Sequence, residues 1–174
     1  MLRDRLCLVQ LSDGKGDIYL VQLPADGYDK APNLKKVLSD ESVTKIFHYA
    51  RFDLAVIKHY LGVEIKNVYC TKIASKLART YTDRHSLKDL SKELLGVDIS
   101  KQQQSSNWGA DNLSQAQIDY AATDVLYLHK LRERLNQILK SEGRMELAEE
   151  CFAFLPTRVE LDLKGWLETD IFTH

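Results

Sequence analysis

A chain of 174 residues with 44% hydrophobic and 28% charged side chains, interrupted by only three prolines, has the composition of one folded domain rather than a disordered segment. Its 24 Lys and Arg against 25 Asp and Glu leave a formal net charge of −1. A protein that grips nucleic acid through phosphate contacts alone is usually basic, so here metal ions or local patches would have to supply the attraction.

In chain order, residues 5 to 11 (RLCLVQL) and 18 to 23 (IYLVQL) are apolar, branched runs around Ser12-Asp13-Gly14-Lys15-Gly16, which predicts an antiparallel hairpin. Leu34 to Leu38 reads as a short helix with Pro32 near its start. Val43 to Tyr49 reads as a buried strand, and Phe52 to Leu61 as a helix stopped by Gly62. A strand over Ile65 to Cys70 and a helix over Thr71 to Thr80 follow. Ser86-Leu-Lys-Asp89 resembles a capping box opening a helix to Gly96, and residues 97 to 112 read as a polar loop. Ser114 and Gln117 have N-cap and N3 spacing, with Leu113 and Ile118 at the staple positions. From there Ile118, Ala122, Val125, Leu128, Leu131, Leu135 and Leu139 keep one apolar face for about six turns, predicting a long helix closed by Gly143. Arg144 to Phe154 reads as a last helix ended by Pro156, and residues 157 to 174, with Trp166 and Phe172, as an irregular tail docked on the surface. The order predicts an α/β domain with a mixed sheet covered by helices.

Cys7, Cys70 and Cys151 are odd in number and share no metal-ligand spacing, the pattern of reduced thiols in a cytoplasmic protein. The opening residues hold no signal-peptide core, and no stretch reaches the roughly 18 apolar residues of a membrane span, so no membrane partner is expected.

Tyr120 and Asp124 are four apart on the predicted long helix and share a face, while Asp53 opens another helix directly after a strand. Taken singly, the first pair reads as a surface hydrogen bond and Asp53 as an acid placed to suit a helix dipole. Together they stand in the order and approximate separation of two acidic motifs. His48-Tyr-Ala-Arg-Phe-Asp53 resembles the second motif of the ribonuclease D group of DEDD exonucleases, and Tyr120-Ala-Ala-Thr-Asp124 its third, Y-x-x-x-D. Cys70-Thr-Lys-Ile-Ala74, His85-Ser-Leu-Lys-Asp-Leu90 and Lys101-Gln-Gln-Gln-Ser-Ser-Asn-Trp108 resemble the signatures between them. The resemblance runs from about residue 5 to residue 140.

The resemblance implies a ribonuclease H-like fold and hydrolysis of phosphodiester bonds from the 3′ end of single-stranded RNA or DNA, releasing nucleoside 5′-monophosphates. It implies Mg²⁺ or Mn²⁺, with Asp124 a direct ligand, Asp53 holding a second ion through water, and Tyr120 orienting the attacking water. Lys101, Gln104 and Trp108 become candidates for gripping a single strand, with Trp108 either stacking on a base or anchoring its loop. Arg84 and His85 are further candidates near the substrate path. His48 either steadies the second motif or is a buried strand histidine.

One departure accompanies the match. The family's first motif is D-x-E on an opening strand, and no such pair stands before Arg5, where Asp4 is the only acid. That strand would lie upstream of Met1, between the hairpin and the strand before Asp53. Its lack predicts weak metal occupancy, one ion at most, and two open strand edges that lower stability or draw the chain into a homodimer. The rival expectation is a non-catalytic nucleic-acid-binding or dimerisation module. No helical C-terminal RNA-binding domain is expected, since the tail after Leu155 is too short for one.

Overall fold

A computed structural model describes residues 5–174; Asp4 lies outside them. The hairpin forms as expected, β1 (Leu8–Ser12) pairing antiparallel with β2 (Ile18–Gln22), Leu8 opposite Gln22 and Ser12 opposite Ile18. Gly14 in its turn has φ +76, and a Cβ there would come within 2.7 Å of the His129 ring, so the turn needs glycine for conformation and for close approach alike. After a 3-10 turn at Tyr28–Lys30, α1 (Pro32–Ser39) begins with proline in its first turn, where the fixed φ suits a helix.

β3 (Lys45–Phe47) runs into α2 (Ala50–Leu61), which Gly62 ends at φ 65 with its amide donating to the Lys58 carbonyl. β4 (Val68–Cys70) pairs parallel with β3 and passes straight into α3 (Thr71–Ala78). Both strands are shorter than their apolar runs, because Tyr49 (φ 68) and Asn67 (φ 53) leave extended backbone beside them. Ser86 caps α4 (Leu87–Leu95), its hydroxyl accepting from the Asp89 amide, and Gly96 closes that helix at φ 70.

The expected long helix is two helices. α5 (Gln115–Leu126) opens with the Ser114–Gln117 capping box, and α6 (Leu128–Ser141) follows after Tyr127, whose φ of −105 and ψ of −1 break the axis. The apolar stripe is continuous in sequence, but α5 packs on β1 and β2 while α6 packs on α3 and α4, and one straight rod cannot follow both surfaces. The last helix is also longer than expected. α7 (Met145–Leu161) passes through Pro156, because Ala148, Phe152, Leu155 and Val159 bury one face and outweigh the amide that proline removes. The chain then makes a π turn at Asp162–Trp166. Trp166 and Phe172 stay exposed, so the tail is held chiefly by polar contacts. The buried Asp162 carboxylate accepts from Arg51 at 2.6 and 2.7 Å and from Arg158 at 3.0 Å, and Arg51 also donates to the Leu167 carbonyl.

The mixed character of the sheet is present as two small sheets, one antiparallel (β1-β2) and one parallel (β3-β4). Residues of β1 and β3 line one cleft, at the place where the resemblance puts a further strand. The main core lies among the helices, with Leu54, Ala55 and Ile57 of α2, Ala74 of α3, Leu131, Leu135 and Leu139 of α6, and Phe152 of α7 all buried in one cluster. A buried leucine in such a cluster contributes about 1.5–3 kcal/mol, so the helical layer is the rigid support on which the cleft is built. Among the described residues no helix is long and apolar enough to cross a membrane.

Candidate active site

Two helices, α2 and α5, deliver the candidate side chains to the cleft. At the end of β3 the backbone turns through Tyr49 in the left-handed region and enters α2, bringing Asp53 into that helix's first turn. A left-handed non-glycine residue costs about 1–2 kcal/mol, and Tyr49 supplies no side-chain cap in return. On the other wall Tyr120 and Asp124 follow each other by one turn along α5, Asp124 lying in the last turn before the break at Tyr127. Asp53, Tyr120 and Asp124 all line the same cleft, whose volume is about 1250 Å³.

The electrostatics of the two acids mark them out. Burial, and then repulsion from Asp124, pushes the Asp53 carboxyl up to about 7. Burial alone pushes Asp124 up to about 6. Among the described residues neither accepts a hydrogen bond or pairs with a cation. Two close, poorly solvated carboxylates without a protein counter-charge fit a hard divalent cation, and their all-oxygen donor set suits Mg²⁺ or Mn²⁺. They supply two ligands only, since the described residues contain no group of three or more His, Cys, Asp or Glu able to hold a metal. Burial and Asp124 push the Tyr120 phenol up, so it stays protonated, a state that suits hydrogen bonding rather than action as a base.

His48 directly follows β3, with Nδ1 2.9 Å from the Thr71 hydroxyl, which also lies within hydrogen-bonding distance, 3.2 Å, of the Phe47 carbonyl. A neutral imidazole meets that hydroxyl in either tautomer, Nδ1 donating to it or accepting from it. Burial, then Lys72, pushes His48 down to about 4, so it stays neutral at physiological pH.

The rest of the cleft reverses the charge of the whole chain. Among its described lining residues, Asp53 and Asp124 are the only acids, against Arg5, Lys45, Lys72, Lys88 and Lys101. Lys101, Gln104 and Trp108 sit there on the loop before α5, Lys101 and Gln104 exposed and Trp108 half-buried. That loop is pinned from three sides: Gln117 donates to the Asn107 carbonyl at 3.2 Å, Gln22 to the Ala110 carbonyl at 2.6 Å, and Arg5 to the Gly109 carbonyl at 3.4 Å. The pinning sets the Trp108 ring 6.0 Å from that of Tyr120. Arg84 and His85 lie outside this lining. His85 Nδ1 meets the Ser75 hydroxyl at 2.8 Å, and the Arg84 carbonyl accepts from the buried Arg79 guanidinium at 2.6 Å, so both belong to a network behind α3. Lys72 and Lys88 stand inside two of the intermediate signatures, yet the sequence does not single them out as site residues, because a lone lysine on a helix carries no signal; only the approach of α3 and α4 to the cleft distinguishes them.

Comparison with known proteins settles the lineage. The family model described as 3′-5′ exonuclease matches residues 1–140. The chain belongs to the 3′-5′ exonuclease family. Within this exonuclease family it is similar to ribonuclease D: it is 37% identical to ribonuclease D of Gluconacetobacter diazotrophicus over 150 residues, 86% of this chain and 37% of that protein. The chain thus spans little more than a third of the length of such curated relatives. A solved structure of Brucella melitensis NrnC is 62% identical, with a TM-score of 0.94 over 99% of this chain and 83% of that one. The same protein has been solved bound to pGG and with bound Mg²⁺. Escherichia coli RNase D, 26% identical, aligns at a TM-score of 0.78 over 96% of this chain and 46% of its own. The ribonuclease H-like α/β fold expected from the motifs is therefore the fold of this exonuclease-family chain.

Proposed function

We propose that the chain acts in the cytoplasm as a divalent-metal-dependent exonuclease, hydrolysing single-stranded RNA from its 3′ end and releasing nucleoside 5′-monophosphates. The observation that carries this reading is the meeting of Asp53, Tyr120 and Asp124 in a cleft whose other charges are cationic. The ribonuclease D relatives and the pGG complex of Brucella NrnC support RNA and short strands as substrates, its Mg²⁺ complex supports magnesium, and three free cysteines support a reducing compartment.

Asp53 and Asp124 would hold the ion. When bound, a divalent cation supplies Lewis-acid polarisation and a lowered pKa for water. Tyr120, protonated, orients the attacking water by hydrogen bonding. The water oxygen bonds to phosphorus and gives up one proton to solvent as the bond from phosphorus to the 3′ oxygen breaks, and the departing oxygen takes up one proton from solvent. Lys88 and Lys101 hold the phosphate chain, and Gln104 adds an amide contact beside them.

A second reading rests on the two-carboxylate site: a module that keeps the fold and binds strands without cutting them. A 3′-labelled single strand with Mn²⁺ separates the two. Cleavage predicts mononucleotide release that falls by roughly two orders of magnitude or more in Asp124→Ala. Binding without cleavage predicts no release from the parent chain and affinity untouched by Asp53→Asn. Release that survives Asp124→Ala at full rate would remove the proposed site.

A further inference from the structure

A second cavity, of about 580 Å³, opens at the end of β3 and β4 away from His48, where Thr44 and Asn67 precede the two strands. Arg132 of α6 and Met145, Phe152 and Pro156 of α7 line it, and Tyr69 of β4 joins them. The Tyr69 ring is fixed: its hydroxyl donates to the Asn136 side-chain oxygen at 2.8 Å, and its centroid lies 4.6 Å from that of Phe152. Over this ring Arg132 sets its guanidinium carbon, 5.3 Å from the centre.

A guanidinium drawn out of water ordinarily donates to a carboxylate or a carbonyl. Arg51, Arg79, Arg144 and Arg158, the other buried or half-buried arginines described, all do so. Arg132 does not. Its Nε is buried without a partner, and among the described residues no oxygen accepts from its terminal nitrogens. Glu64 and Glu149 line the cavity without pairing with it, and Lys66, also there, is taken by Glu41 at 2.9 Å.

We infer that this cavity binds a small organic oxyanion, a phosphate or carboxylate carried on an apolar body, with Arg132 as its charged partner. A planar guanidinium matches either group with paired donors, and the aromatic ring under it holds it in place. Met145, Phe152 and Pro156 offer the apolar contact, and the volume suits a small molecule rather than a bare ion. Of the residues named, only Thr44 also lines the catalytic cleft, so the site stands apart from the exonuclease reading.

Calorimetric titration of the metal-free chain tests this, with Lys88 and Lys101 replaced by Gln to silence the cleft. Adenosine 5′-monophosphate, benzoate and inorganic phosphate are the probes. At least one of the two organic anions should bind at a single site, roughly tenfold or more tighter than inorganic phosphate. Tighter binding of the nucleotide identifies the anion as a phosphate, and tighter binding of benzoate identifies it as a carboxylate; each supports the site. Arg132→Gln should weaken that binding by about tenfold or more, and Arg132→Lys should recover only part of it, having the charge without the planar fork. Ala153→Trp, which fills the cavity from the exposed side of α7 and keeps the arginine, should block binding without lowering Tm. No binding of either organic anion at millimolar concentration overturns the proposal, as does binding that survives both Arg132→Gln and Ala153→Trp. Inorganic phosphate binding as tightly as the organic anions overturns it in favour of an adventitious ion only. Full coupling of Arg132→Gln with Glu149→Gln in a stability cycle without any anion also overturns it, because Glu149 would then be the partner.

Discussion

Asp53 is destabilising where it is charged. Unfolded it titrates near 3.8 and folded near 7, so between these values the folded chain holds more protons, and stability falls as pH rises through that window. His48 acts oppositely: depressed from 6.5 to about 4, it is neutral in the fold, so stability is lost as pH falls through its window. The two trends oppose each other between about 4 and 6.5, and a substitution is needed to separate them. Without added metal, Asp53→Asn should raise stability at pH 8 by roughly 1–3 kcal/mol and do nothing near pH 4, read as Tm against pH. Mn²⁺ at pH 8 should raise the Tm of the parent chain and not that of the variant. An Asp53→Asn chain whose Tm tracks the parent at every pH would mean that the carboxylate is not held in a poorly solvated, repulsive place.

Among the elements, α2 matters most because it joins the site to the end of the chain. Arg51 lies two residues before Asp53 and clamps Asp162, whose side chain is fully buried and shared with Arg158. Asp162→Ala leaves two guanidiniums without their carboxylate partner and should cost about 2–3 kcal/mol, discounted because Arg51 is partly exposed. Loosening α2 should also weaken Mn²⁺ binding, so calorimetric titration of the variant tests whether the tail supports the site; unchanged metal affinity would confine the clamp to stability. The start of α5 makes a smaller contribution. Ser114→Ala removes one half of the capping box and should cost about 1 kcal/mol in chemical denaturation. The loop that carries Trp108 depends on the same box through Gln117, so that variant should also reduce strand affinity.

For the molecule as a whole, a net charge of −1 coexists with a cleft lined by five Lys and Arg and two Asp. Attraction for a polyanion is therefore local, and it should follow counterion release rather than net charge. Strand affinity should fall linearly with salt on logarithmic axes, and the double substitution of Lys88 and Lys101 by Gln should reduce the slope by about 1.4. An unchanged slope would place the strand elsewhere on the surface.

Much of this was legible residue by residue. The glycine stops at Gly62 and Gly96, the Ser86 and Ser114 caps and the hairpin around Gly14 are local chemistry, decided within a few residues and so readable from the chain. The pairing of Asp53 with Tyr120 and Asp124 was available only as a motif spacing, since 67 to 71 residues of chain separate them. The break at Tyr127 and the passage of α7 through Pro156 were not readable. Both reflect which surface a helix packs on, and packing outweighs propensity when an apolar stripe could serve two partners. The same holds for the left-handed Tyr49 and for Lys72 and Lys88: a residue's local preference says nothing of the neighbours that reward its strain or its charge. By itself the sequence determined the order of elements, their caps and the three residues that mark the lineage, because these follow from short-range rules and motif chemistry. Only the tertiary structure decided that the acids sit in a poorly solvated, otherwise cationic cleft with two aromatic rings at its edge, because solvation and charge balance are sums over side chains that meet only when the chain is folded.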